Sequence, residues 1–343
     1  MSPIAASDLK APPAITHNSS VQVVRSTNAL PANLLNAARS TLTESFDAEK
    51  HVCFEAPGKI YKMEELGFPG RGISETAVSA PFPLFSQSAV AQMRKEVFSQ
   101  RVLDECRFSS GFVKDTVRGM MPSRAPFTYD AWKSTEVLAA VSAVAGVDLV
   151  PVMDMEISAI NISVNPTTVT DAEKAASNDR SAFAWHYDSY PFVCVTMLSD
   201  CTDMQGGETA VKTASGDIMK VRGPAMGTAV IMQGRYLNHA ALKAFGGKER
   251  ISQITSLRPR FPLAKDESVL TGVRPISNTS DLYTQWTQYR LENLEERIRE
   301  KLKSERTRES FNRPFDLVAT RSWFEENIAY FQATLKELQE VQS

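Results

Sequence analysis

Between about residues 151 and 262 the chain reads as six short apolar runs, Glu156–Val164, Phe192–Leu198, Glu208–Thr213, Asp217–Val221, Gly227–Met232 and Arg250–Leu257, separated by Gly, Pro, Asn and Asp. Runs of this length at this spacing predict an antiparallel sandwich or barrel. A parallel sheet would need crossover helices, and the connections are too short to hold them. The long polar segment Asn165–Arg180 is the exception, and its length and position mark it as a lid or binding loop.

The flanks carry a helical period instead. Val90, Met93, Val97 and Phe98 predict a helix over Ser88–Phe108, and a second is expected over Asp130–Val144, started by Asp130 and ended by Gly146. Beyond Pro262, Leu282, Trp286, Tyr289, Leu291, Leu294, Ile298 and Leu302 outline one amphipathic helix. A capping box of Ser322 with Glu325 predicts the start of a last helix, with apolar face Phe324, Ile328, Phe331, Leu335 and Leu338. These two helices serve either as packing supports or as a homodimer surface. The organisation expected is a tail over 1–20, mixed helical and strand support over 21–150, a β core over 151–262 and helices over 263–343, in one integrated α+β domain.

Charge narrows the partners. Lys and Arg total 38 against 40 Asp and Glu, a formal net charge of -2 with no concentrated basic block. Nucleic acid and anionic membranes are therefore not expected. No apolar stretch approaches the roughly 20 residues that span a bilayer, and the N-terminus lacks a secretory pattern, so a cytoplasmic protein is expected. Its four cysteines, Cys53, Cys106, Cys194 and Cys201, form no CxxC pair and are expected to be reduced thiols, not zinc ligands.

The chain has only 4 His, and two of them stand where chemistry can use them. In Trp185-His186-Tyr187-Asp188 an imidazole and a carboxylate lie two residues apart, on one face if the segment is extended. His239 follows after a gap long enough to return opposite that pair. Two histidines and one carboxylate leave three positions of a metal open, the arrangement suited to non-haem Fe(II). Eleven residues on, Arg250 and Ser252 share one face of a strand, and a guanidinium with a hydroxyl can clamp a carboxylate. His17 and His51 sit in Ser-rich or charged surroundings and read as surface residues.

The order His186-x-Asp188, a long gap, then His239-x10-Arg250-x-Ser252 resembles the signature of the Fe(II)/2-oxoglutarate-dependent dioxygenases. Gly206-Gly207-Glu208-Thr209 and the run Gly227–Met232 are similar to supporting landmarks of that family. The resemblance covers roughly residues 150–262. It implies a double-stranded β-helix, a jelly-roll or cupin-like barrel, braced by the N- and C-terminal helices. It also implies Fe(II) on His186, Asp188 and His239, with 2-oxoglutarate held at its distal carboxylate by Arg250 and Ser252, and O₂ as co-reactant. The implied reaction is oxidative decarboxylation to succinate and CO₂ coupled to hydrogen abstraction from a substrate. Asp188 argues against halogenation, since the halogenating branch of the family has a small residue there.

A small molecule, either a natural-product precursor or an amino-acid derivative, is the substrate expected, with hydroxylation, desaturation or ring closure as the outcome. Tyr187, Phe183, Asn161, Ser163 and Gln233 are candidate substrate contacts, with ordinary packing as the alternative for each. Arg118 and Arg124 would hold an anionic substrate if the segment between them reaches the pocket. Two other readings stand: an oxidase similar to isopenicillin N synthase that dispenses with 2-oxoglutarate, and a metal-free barrel that serves as a binding or scaffold protein.

Overall fold

A computed structural model describes residues 24–109, 115–164, 185–221, 225–242, 244–245, 247 and 249–340. The expected tail over 1–20, the segment 165–180 and Phe183 lie outside the described residues. Among the described residues one large antiparallel sheet, two small ones and several helices form the α+β architecture. In spatial order the large sheet runs Val24–Arg25, Arg107–Ser109, Thr116–Val117, Ala159–Val164, Glu249–Pro259, Phe192–Met197, Thr228–Met232, Thr76–Ser79 and Ile60–Lys62. Phe82–Pro83 and Leu149–Pro151 pair with it off this path. One small sheet is Ile218–Val221, Thr209–Lys212 and His239–Ala241, and Gln205–Gly206 pairs separately with Ala244–Phe245.

Five of the six expected runs form strands within two residues of their predicted ends. The first begins three residues late, because Asp154–Glu156 form a 3-10 turn and Ser158 has φ of 62°. Ser158 is locked there by Thr255 Oγ1, which accepts from its N–H at 3.1 Å, and by Gln253, which donates to its hydroxyl at 2.8 Å.

Residue parity explains why both faces of the large sheet are apolar. Phe192, Cys194, Ala229, Ile231, Ile251 and Leu257 pack on the helical side, while their neighbours Val193, Val230 and Met232 pack with Val211, Val221 and Leu237 between the sheets. Burying a Val, Leu, Ile, Phe or Met side chain in this way stabilises a fold by about 1.5–3 kcal/mol. On the helical side Trp132 is fully buried, and its indole N–H donates to Gln253 Oε1 at 3.2 Å, so the one polar atom of that ring is satisfied.

Serines divide the expected helices. Ser99 accepts from Val102 N at 3.4 Å and separates Gln87–Val97 from Gln100–Glu105. Ser134 accepts from Val137 N at 3.3 Å and separates Pro126–Lys133 from Thr135–Ala145, so Asp130 lies inside a helix and does not cap one. A serine oxygen that captures a backbone N–H ends one helix and starts the next. Gly146, at φ of 70°, closes the second as expected. His51 is not a surface residue: it is 1 % exposed, its Nδ1 accepts from Asp47 N at 2.9 Å, and its ring stands edge-on to Phe127.

The C-terminal helices are Thr279–Ser310 and Leu317–Glu337. The first packs on the core through Leu282, Trp286 and Tyr289. The second is capped six residues before the expected Ser322, at Asp316, which accepts from Ala319 N at 2.9 Å, and Ser322 bonds Glu326 instead. Its apolar face does not pack as a support: Phe324, Ile328, Phe331 and Leu335 are all more than half exposed. Among the described residues no helix is long and apolar enough to cross a membrane.

Candidate metal centre

Two backbone contacts assemble the three donors. His186 and His239 form an antiparallel bridge and exchange both N–H to O=C bonds at 3.0 Å, which sets their rings 4.4 Å apart. Two residues on, Asp188 N donates to Gly234 O at 2.9 Å and brings its carboxylate over both imidazoles. Asp188 Oδ1 lies 3.5 Å from His186 Nε2, and Oδ2 lies 3.5 Å from His239 Nε2. One ligand atom from each residue falls within 4.8 Å of the others. Their donor atoms converge, but only His239 belongs to a strand, His239–Ala241; His186 is held by the isolated bridge and Asp188 sits in the following irregular segment.

Protonation favours ligation. His239 Nδ1 lies 3.0 Å from the Leu237 carbonyl, which can only accept, so the proton sits on Nδ1 and the Nε2 lone pair is left toward Asp188. Burial, with His186 adding to it, holds the His239 imidazole below its ordinary pKa despite the nearby Asp188. Burial pushes the Asp188 carboxyl upward, but His239, His186 and Arg235 outweigh it and the net direction is down. Asp188 Oδ2 is buried without a hydrogen-bond partner. A buried carboxylate oxygen in that state is costly unless a cation meets it, and a divalent ion between these three donors would do so. Three protein ligands make an open site, unlike the closed four-ligand sites of structural zinc.

Arg250 is the second unusual group. It is 8 % exposed, its Nε has no partner, and its two contacts, to Ser252 Oγ and Gly207 O, are both long at 3.4 Å. Among the other buried arginines Arg118 holds Glu156 and Arg290 holds Asp266, while Arg297 donates to the Pro262 and Ala264 carbonyls at 2.7 and 3.1 Å. Among the described residues no carboxylate pairs with Arg250, and burial depresses its guanidinium. An anion is the partner such a group lacks. Gly207, at φ of 74°, leaves room beside it, since a Cβ there would stand 3.3 Å from Arg250 Nε.

The register places Ser163 opposite Arg250 and Asn161 opposite Ser252, so both candidates share the clamp's face of the large sheet. Tyr187 is half-buried beside the ligands. Gln233 is not a pocket residue: fully buried, it accepts from Ile73 N at 2.7 Å and donates to Ser74 O and Thr76 O, which uses its whole amide to tie down the 73–76 segment. Arg118 does not await a substrate either, because both its terminal nitrogens are bound by Glu156. Arg124 pairs with Glu105. Both line a cavity of about 650 Å³ whose walls include none of the metal-centre residues.

Sequence reasoning passed over Gly234 and Arg235. Gly234 is required by the carboxylate itself, for a Cβ at that position would overlap Asp188 Oδ2. A glycine two residues after an apolar strand and five residues before the candidate ligand His239 is the available signal.

No protein-family model matches the chain, and no curated protein matches it. Among solved structures it is similar to a 2OG-Fe(II) oxygenase family oxidoreductase from Burkholderia pseudomallei, with 14% identity, 42% of this chain and 67% of that one covered, and a TM-score of 0.31. It is also similar to prolyl 4-hydroxylases from Phytophthora capsici, at 15% identity over 76% of this chain and 89% of that one, with a TM-score of 0.37. A third is HygX from Streptomyces hygroscopicus, solved with nickel, 2-oxoglutarate and hygromycin B, at 16% identity, 54% and 84% coverage and a TM-score of 0.35.

Proposed function

We propose that this chain is an Fe(II)- and 2-oxoglutarate-dependent oxygenase of a small molecule, built on a double-stranded β-helix. The observation that carries the reading is a pair of unmet buried charges: Asp188 Oδ2 within the His186, Asp188, His239 cluster, and the Arg250 guanidinium on the large sheet. One lacks a cation and the other an anion. A metal bound by a dicarboxylic cosubstrate would satisfy both at once.

In this reading His186 Nε2, His239 Nε2 and one Asp188 oxygen hold the ion, with Leu237 O fixing the tautomer of His239. Arg250 and Ser252 hold the distal carboxylate of 2-oxoglutarate, and the burial of Arg250 strengthens that pairing by excluding water. Asn161 and Ser163 extend the polar strip along the same face. Iron with 2-oxoglutarate and O₂ supplies, when bound, the oxidising chemistry that removes hydrogen from the substrate as succinate and CO₂ are formed. The protein's part is orientation, a fixed charge balance and exclusion of water.

The substrate is a small molecule, of natural-product or amino-acid origin, and the outcome is hydroxylation, desaturation or ring closure. The test is succinate release by the Fe(II)-loaded protein under air, screened over such compounds. Succinate formed in step with substrate loss supports the proposal. Substrate oxidation without succinate would move the chain to the oxidases that do not use 2-oxoglutarate.

A further inference from the structure

The two C-terminal helices are packed inside out. Where they meet, the buried groups are polar or cationic: Arg290 lies 3.5 Å over the Tyr330 ring and donates to Thr334 Oγ1 at 2.8 Å, Arg297 lies 4.3 Å over the same ring, and Asn293 donates to the Tyr330 hydroxyl at 3.2 Å. Leu317–Glu337 buries Asn327, Tyr330 and Glu337. The same helix exposes Phe324 (57 %), Ile328 (57 %), Phe331 (52 %) and Leu335 (70 %), with Leu338 (37 %) just beyond it. An isolated amphipathic helix would turn the other way.

The exposed residues follow one another at steps of four, three, four and three. That is a heptad seam two repeats long, the pattern that inserts into a matching helix and not into a flat surface. We infer that this seam is a homodimer interface, in which Leu317–Glu337 of one copy packs against the same helix of a second copy.

Three features favour a second copy over another occupant. Flanking the seam on its open side, Gln332 and Gln339 are uncharged and Glu325 lies 3.7 Å from Arg321 of the same helix, so the flank does not select an oppositely charged partner. A lipid surface would favour a basic polar face, and the two helices together carry nine basic and ten acidic residues. The area is also sufficient. Twelve of the nineteen exposed large apolar residues among those described lie between Leu291 and Leu338. At about 150–250 Å² for a whole phenylalanine, the seam and its apolar surroundings approach the roughly 800 Å² per partner of a stable interface. Two such hairpins side by side make a four-helix arrangement with the apolar residues inside.

The test is sedimentation velocity of the full chain from micromolar to hundred-micromolar concentration. The wild type is expected to run at twice the chain mass. The double variant F331E/L335E is expected to run as a monomer, with near-ultraviolet circular dichroism unchanged because both positions face outward. The milder F331S is expected to weaken the dimer without abolishing it. A wild type that stays monomeric over the whole range would overturn the inference, and binding of that monomer to anionic vesicles would assign the seam to a lipid surface. A dimer that survives in a folded F331E/L335E protein would also overturn it.

Discussion

The carboxylate of Asp188 occupies the space that a side chain on residue 234 would need, and Gly234 O accepts the Asp188 N–H at 2.9 Å. The turn after Thr228–Met232 thus sets both the backbone and the side chain of a candidate metal ligand that is 46 residues away in sequence.

Gly234→Ala therefore displaces Asp188 without removing any ligand. Metal affinity is expected to fall about 10–100-fold, as it does when groups that orient a ligand are lost. Anaerobic Co(II) titration, read from the visible d–d bands, measures this directly. Unchanged affinity would show that Asp188 does not ligate.

Arg250→Ala separates the two halves of the site. Loss of a charge-assisted pair worth about 1.5–3 kcal/mol is expected to raise the KM for 2-oxoglutarate roughly 10- to 100-fold while Co(II) affinity stays at the wild-type value. Arg250→Lys is expected to restore only part of this, since an ammonium cannot match a guanidinium fork. An unchanged KM would remove Arg250 from the clamp.

Away from the site, Glu156 is a hub. It binds both terminal nitrogens of buried Arg118 and accepts from the Tyr190 hydroxyl at 2.9 Å. Glu156→Ala strands a buried guanidinium and is expected to cost about 3–5 kcal/mol in urea unfolding. A loss below 1 kcal/mol, on the scale of about 0–1 kcal/mol for a surface pair, would contradict that role.

Asp266 makes the attachment of the long C-terminal helix sensitive to acid. Burial alone would raise its carboxyl, but Arg290, the Tyr289 hydroxyl and Ser268 hold it below the ordinary range. A depressed folded pKa gives stability that is complete above the unfolded value of about 3.9 and is lost as pH falls through the lower folded value. Asp266→Asn is expected to be less stable than wild type at neutral pH and to show a shallower acid limb, as read by thermal melts from pH 7 downward. An acid limb as steep as that of the wild type would place the acid sensitivity elsewhere.

What could be read in the sequence was whatever depends on parity and period. The spacing of His186, Asp188 and His239 marks three donors that converge in the fold, and the parity of Arg250 and Ser252 puts them on one strand face. Gln233 was misplaced because proximity in sequence to His239 says nothing about which way an amide turns after a strand ends. The helix breaks at Ser99 and Ser134 were hidden because a serine within an apolar period fits a helix interior until its oxygen takes a backbone N–H. The seam from Phe324 to Leu338 was found as a face, but its period is the same whether that face meets the chain's own core or another molecule.

In the proposed function one site holds both a divalent iron and a dicarboxylate. Anaerobic addition of Fe(II) and 2-oxoglutarate to the metal-free protein is predicted to produce a weak visible charge-transfer band that needs both additions and is absent in H186A. No band with wild type at saturating Fe(II) and 2-oxoglutarate, or an equal band in H186A, would contradict the account.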